Sequence, residues 1–258
     1  MLEEMQLLSI SYVILGFAVG TFGTLVGIGG GVILVPIFLL IMHWTPQYAI
    51  GTSLTIVFLN ALSGSVAYIK QKKVYYDAAI RFSLATLPGA VAGSYLAMYF
   101  TGYTFRIAFG ILLMVMALLM YFRPAKKNEP DEDFNKNTFT YNRTLGVILS
   151  AFVGFISSIL GIGGGIIHVP AMIFLLAFPT HIATATSHFV LAISSFFGVV
   201  SHLALHNVLL KEALLIGGGA VAGAQFGAYL SVKAKSQLIL TLLSLALFFL
   251  GLRLSLAV

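Results

Sequence analysis

Gly27-Ile28-Gly29-Gly30-Gly31 and Gly161-Ile162-Gly163-Gly164-Gly165 are the same five residues met twice, each inside an otherwise continuous apolar run. A proline closes each motif five residues after its last glycine, Pro36 in one copy and Pro170 in the other. Glycine in a helix interior costs roughly 1 kcal/mol against alanine, so four glycines in five positions end a helix. The two stretches read as tips of helical hairpins set inside a larger apolar structure.

Working outward, an offset of 134 residues aligns Gly20–Leu96 with Gly154–Leu230 without a gap, and 21 of the 77 positions are identical. The identities fall on the glycine stretch, on Pro36 and Pro170, on Thr52-Ser53 and Thr186-Ser187, on Gly64 and Gly198, and on Gly89-Ala90 and Gly223-Ala224. Apolar composition alone does not place matches on glycine, proline and Thr-Ser, so the halves are structural copies. The first repeat covers 1–122 and the second 144–258. Residues 123–143, RPAKKNEPDEDFNKNTFTYNR, form a polar linker of mixed charge with two prolines, expected to be solvated and cytoplasmic. Asn142-Arg143-Thr144 fits a glycosylation sequon, which carries no weight on the cytoplasmic side.

The 258 residues are 59% hydrophobic and 9% charged, against about 25% charged in soluble domains. A core of this size cannot hide so much apolar surface from water, so the solvent is lipid. Each half gives one interrupted apolar segment and three uninterrupted ones: 6–43, 48–69, 79–100 and 104–122, then 145–177, 182–204, 213–232 and 237–255. The uninterrupted runs match the roughly 20 residues that cross a hydrocarbon core of about 30 Å. The piece after each break, about 12 residues and roughly 18 Å as a helix, is too short to cross and is expected to turn back near the midplane. The N-terminus lacks the basic region of a signal peptide and reads as mature protein. There are no cysteines, and the formal charge of +6 comes from basic residues mostly in connections, where they orient the chain in the bilayer. Nucleic-acid binding is not indicated.

Lys70, Lys72, Lys73 and Arg81 put the connection after the second segment in the cytoplasm by the positive-inside rule. In the second half the basic residues move one connection further, to Lys233 and Lys235, as expected if that half is inserted upside down. The predicted fold is an all-α integral membrane protein of two inverted repeats, each a glycine-broken helical hairpin plus three transmembrane helices. Eight full spans in parallel repeats are the alternative.

Helices starting at Gly31 and Gly165 point unpaired N–H groups and a positive dipole end at the tip. In inverted repeats two such ends converge near the bilayer centre, where transporters with broken helices bind substrate, and they suit an anion. No Lys or Arg lies near the middle of any span, and the carboxylates lie in termini and connections, which argues against a cation carrier. Candidate binding residues are therefore Gly29, Gly30, Gly31, Thr52, Ser53, Gly163, Gly164, Gly165, Thr186 and Ser187. His168 and His188, aligned with Leu34 and Leu54, join them as polar groups present in one copy only. Asn60 aligns with Ser194 and Gln225 with Val91; their amides can serve an anion or a neighbouring helix. Gly89, Gly93, Gly223 and Gly227, spaced by four, read as helix-packing positions. No metal-ligand spacing or nucleotide fingerprint is present, no cofactor is expected, and no catalytic residue is assigned. Ser187-His188 is a poor nucleophile–base pair because neighbours on a helix point about 100° apart.

The two GIGGGxxxxP copies, the segments Ala49–Ser53 and Ala183–Ser187, the turns Pro88–Ala90 and Ala222–Ala224, and the hydrophilic linker together resemble the sulfite exporter TauE/SafE family of membrane proteins, over about residues 10–255. The resemblance implies a multi-pass transporter of the inner (cell) membrane. It would move small sulfur-containing anions, sulfite or an organosulfonate such as sulfoacetate, typically outward. The alternatives are an anion channel and a carrier of another small anion such as thiosulfate, sulfate or a carboxylate. The partners are then the anion and the lipid bilayer, with homo-oligomerisation left open.

Overall fold

The computed structural model describes residues 2–99, 102–122, 138–234 and 236–256. Among them all regular structure is helical: α1 Leu2–Val26, α2 Gly31–Leu40, α3 Pro46–Lys70, α4 Tyr76–Ala97, α5 Gly102–Phe122, α6 Arg143–Leu160, α7 Gly165–Phe174, α8 Thr180–Ala204, α9 Leu210–Lys233 and α10 Ser236–Leu256. The protein is an all-helical, multi-pass membrane protein. Among the described residues six helices, α1, α3, α5, α6, α8 and α9, are long and apolar enough to cross a membrane by length and composition. Large apolar side chains point outward all around, among them Ile14, Leu84, Ile148, Phe152, Leu214 and Phe249. Each would cost about 1.5–3 kcal/mol to hold in water, and none of that in lipid.

Both breaks fold as expected. At Val26 the chain leaves the helix through Gly27, whose N–H bonds Thr24 O at 3.0 Å while the Ile28 N–H reaches back to Gly23 O at 2.8 Å. This pair of bonds is the glycine-ended helix stop known as the Schellman motif. Ile162 N–H repeats the long bond to Ser157 O at 3.2 Å after α6. The short helices α2 and α7 then start from Gly30 and Gly164, with φ of 83° and 88°, a region that a side chain strongly disfavours.

The copies interlock and do not stand side by side. Helix α1 packs on α9, and its counterpart α6 packs on α4. Gly219, Gly223 and Gly227 lie against the backbone of Val13, Phe17 and Thr21 in turn, and Gly89 and Gly93 against Ala151, Phe155 and Ser158. The glycines spaced by four therefore do serve packing, since only hydrogen lets two backbones come so close. The register also fixes direction: α1 and α9 run the same way, as do α4 and α6.

Between these pairs α3 and α8 cross each other in opposite senses. Gly198 meets Leu54, Phe196 lies beside Phe58 with centroids 5.5 Å apart, and His188 meets Gly64. Helices α5 and α10 pair similarly, Gly110 lying against Gly251 and Ser255. Polar side chains bind the halves further: Gln71 Nε2 donates to Ala228 O at 3.0 Å, and Gln225 Nε2 to Ser63 O at 2.7 Å. Gln225 thus serves a neighbouring helix.

The end of the linker departs from expectation. Residues 123–137 lie outside the described residues, but Phe139 and Tyr141 pack into an aromatic cluster with Tyr75, Phe82 and Phe178. Tyr141 Oη donates to Asp77 at 2.8 Å, and Asp77 also pairs with Arg81 at 3.0 Å and Arg143 at 3.5 Å. Composition marks this stretch as polar; two rings find apolar partners far away in sequence. Asn142 accepts from Leu145 N–H at 3.0 Å as the N-cap of α6, which accounts for its place.

Candidate functional site: two helix breaks back to back

The two glycine stretches meet. A Cβ on Gly31 would lie 2.8 Å from Gly161 O, and one on Gly165 would lie 2.5 Å from Gly27 O. Gly29 and Gly163 each face the same two side chains, Val57 of α3 and Leu191 of α8, which are residues aligned at the 134 offset. Val57 is the twelfth of the 25 residues of α3, so the breaks lie at half the depth of the longest helices. Ile28 and Ile162 are fully buried. The tips thus touch through backbone, and Val57 and Leu191 fill the space beside them. The room expected between the tips lies instead to one side, at the second break.

There a small cavity of about 10 Å³ is lined by Thr86 of α4, Ser157 of α6, the backbone of Gly163–Gly165, His168 of α7, and Ser187, Leu191 and Ser194 of α8. That is about the room for one water centre. Ser187 Oγ is buried and has no hydrogen-bond partner. Among the described residues no acceptor pairs with the amides of Gly163, Gly164 or Gly165, the first bonds after the turn being Ile167 N–H and His168 N–H to Gly164 O. A buried hydroxyl left unpaired costs about 1–3 kcal/mol. One beside three free amides is a set of donors without an acceptor.

The other predicted residues divide. Thr52 Oγ1 accepts from Leu209 N–H at 3.0 Å and Thr186 Oγ1 from Tyr75 N–H at 3.0 Å. Each hydroxyl oxygen thus satisfies the amide just before a helix of the other half, α9 or α4, as a cap donated across the repeat. Ser53 Oγ donates to Gly161 O at 2.9 Å, tying α3 to the opposite break. Gly29, Gly30 and Gly31 sit at the first break, where Asn60 fills the space that Ser194 leaves open in the second. With its nitrogen turned to the acceptors, the Asn60 amide donates to Gly20 O and Ala220 O at 3.2 Å and pairs with Thr24 Oγ1. His188 lies away from the cavity, with Nε2 3.4 Å from Thr24 Oγ1 and its ring edge-on to Tyr68. His168 reaches the cavity and contacts Ser150 Oγ at 3.0 Å.

Sequence reasoning does not single out Thr86, Ser157 or Ser194 as binding residues. The signal is nonetheless there: at the 134 offset they face Ala220, Gly23 and Asn60, so the second copy alone carries small hydroxyls at the last two positions and meets a hydroxyl of the first at Thr86. Among the described residues no group of three His, Cys, Asp or Glu could hold a metal ion.

An all-helical membrane protein with a neutral, donor-lined pocket at paired helix breaks has the architecture of a transporter. The sulfite exporter TauE/SafE family model matches residues 12–254, and the chain belongs to this family. It is 35% identical over 257 residues to the probable membrane transporter protein YunE of Bacillus subtilis, covering 93% of this chain and 94% of that one. It is 30% identical over 233 residues to a probable membrane transporter protein of Xylella fastidiosa, with coverage of 87% and 84%. The probable membrane transporter protein MJ0441 of Methanocaldococcus jannaschii is 30% identical over 206 residues, with coverage of 78% and 74%. No solved structure matches the chain.

Proposed function

We propose that the protein is a secondary transporter that exports a small sulfur-containing oxyanion, sulfite or an organosulfonate, bound at the second glycine break. The observation that carries this is the buried, unpartnered hydroxyl of Ser187 in one cavity with the free amides of Gly163–Gly165. Ser157, Ser194 and Thr86 surround the same space. Such a shell offers an anion N–H and O–H donors at the positive end of α7, with no Lys or Arg in its lining. Gly29–Gly31 belong to the tip that abuts the second break, and Thr52, Ser53 and Thr186 hold the two halves in register around it. His188 stands behind the first break. The cavity admits no more than a water centre as it stands, so binding requires the halves to part, which is the motion a carrier makes. The closed backbone contact between the tips favours a carrier over a channel.

The antiparallel α3 and α8 support inverted topology: copies of one another that cross in opposite senses belong to halves inserted in opposite senses. The termini then lie outside and the linker inside. A thermal-shift screen of the purified protein against sulfite, thiosulfate, sulfate, sulfoacetate and a carboxylate checks the substrate class. Stabilisation by the sulfur oxyanions is expected, at about 2.7 kcal/mol when the anion stands at a hundred times its Kd. A response confined to cations or neutral solutes overturns the reading.

A further inference from the structure

His168 is the one titratable side chain in the lining of this cavity, and its hydrogen bonding determines what it offers an anion. Ser150 Oγ donates its single proton to Gly146 O at 2.7 Å. With the hydroxyl proton assigned to Gly146 O, the 3.0 Å contact between Ser150 Oγ and His168 Nε2 is made by the imidazole N–H, with the hydroxyl oxygen accepting. A neutral imidazole carries one N–H, so Nδ1 is left as a bare lone pair. The ring cannot turn over without breaking this arrangement, because Phe82 packs edge-on against it with centroids 5.3 Å apart.

An oxyanion placed among Ser157, Ser187 and the glycine amides thus meets four or more donors and one lone pair that repels it. A single proton on Nδ1 converts the repulsive group into a charge-assisted donor. We infer that this site takes its anion together with one proton carried at Nδ1 of His168, so that transport is anion–proton symport. Two forms of substrate satisfy the same chemistry. A monoanion that keeps an acidic O–H donates it to the lone pair, and a fully ionised anion calls a proton onto the ring; the net cargo is one anion and one proton in either case.

No other charge competes for that proton among the described residues around the ring. The ring contacts Phe82 of α4 and Ser150 of α6 and shares its cavity with Thr86 of α4, Val153 and Ser157 of α6, and Ser187, Val190 and Ser194 of α8, none of them charged. Behind Phe82 stand two titratable groups: Tyr141, whose ring centroid is 5.7 Å from that of Phe82, and Asp77, bonded to Tyr141. The first copy has Leu34 where this one has His168, and Gly16 where it has Ser150, so the device exists once per chain.

The inference rests on the anion-site reading, and the test separates the two. Full-length protein in nanodiscs is titrated with methanesulfonate, an anion ionised at every pH used, by calorimetry in two buffers of different ionisation enthalpy. The expected result is uptake of about one proton per anion, with affinity falling by up to about tenfold per pH unit as pH rises through the histidine range of about 5 to 8. In His168→Gln, binding should weaken with the loss of the charge-assisted donor, and the binding that remains should carry proton uptake near zero and little pH dependence. Binding by the wild type without proton uptake, or uptake unchanged in the variant, overturns the inference and leaves the anion site standing. Failure of the wild type to bind this anion or sulfite overturns both. Should His168→Gln not bind, nitrogen NMR of labelled histidine in the wild type decides. An Nδ1 signal that moves to the protonated position on adding methanesulfonate supports the inference, and an unchanged lone-pair signal overturns it.

Discussion

The two glycine breaks share a backbone and differ in what surrounds it. At the first, Asn60, Ile56 and Leu34 close the space, with Asn60 satisfying Gly20 O and Ala220 O. At the second, the aligned residues are Ser194, Val190 and His168, each smaller or more polar, and a cavity results. Ser53 donates to Gly161 O, while its counterpart Ser187 has no partner. Duplication produced two identical tips; divergence turned one into a plug and the other into a pocket. A carrier with inverted halves needs mirrored scaffolds to have two related conformations, but it needs only one place to hold its cargo.

The most damaging way to break this asymmetry is to restore the plug. Ser194→Asn places in the second copy the side chain that fills the first, and should abolish anion binding and flux in proteoliposomes while the protein stays folded. Retained flux would show that the cargo sits elsewhere. The reverse change, Asn60→Ser, removes two buried side-chain hydrogen bonds, to Gly20 O and Ala220 O, whose carbonyls keep their helical donors, and leaves a small void. It should cost roughly 1–3 kcal/mol of stability and reduce flux only as far as folded protein is lost.

The paired serines give a smaller effect of the same kind. Ser187→Ala removes a hydroxyl that bonds nothing in the free protein, so stability should hold or rise slightly. The loss of a hydrogen bond to a charged ligand, about 1.5–3 kcal/mol, should weaken anion affinity by roughly 10- to 150-fold. Ser53→Ala should do the opposite, removing about 1 kcal/mol of stability with little change in the affinity of the protein that remains folded. Calorimetric binding and thermal unfolding of both variants decide the matter, and equal effects on affinity would sink the asymmetry.

Much of this scaffold is legible in the amino-acid sequence, because glycine and proline punctuate an apolar chain so strongly. The breaks, the copies and the helix limits come out within a few residues for that reason. The start of α4 is an instructive miss: Tyr76 begins it, three residues ahead of the apolar run, after Lys72 turns with φ of 58°. What holds that turn is Thr186 Oγ1, which accepts from Tyr75 N–H across 111 residues, a partner that local pattern cannot supply. Position marks Thr52 and Thr186 as ligands or caps of their own helices, yet each caps a helix of the other half. The aromatic cluster of Phe139 and Tyr141 is hidden by the polar residues around it. The pocket itself is half visible: the alignment sets Ser194 opposite Asn60, but only packing shows that the difference in size is left unfilled.

The smallest effect tests whether divergence extends to the crossing of α3 and α8. Gly64 and Gly198 are identical aligned glycines, but a Cβ on Gly64 would stand 2.5 Å from His188 Nε2 and 2.9 Å from Thr24 Cγ2. On Gly198 the nearest atom is Leu54 Cδ1 at 3.2 Å, the free end of a flexible chain. His188 is wedged between α1 and α3, bounded by Tyr68 and Thr24, and has nowhere to go. Gly64→Ala should therefore destabilise by about 1–3 kcal/mol through overpacking. In Gly198→Ala the leucine can yield, and the helix-propensity gain of up to about 1 kcal/mol offsets the crowding, leaving a change near zero. Thermal midpoints of the two variants in one detergent measure the difference. Equal losses would mean that the crossing is symmetric and that His188 is held less tightly than its neighbours imply.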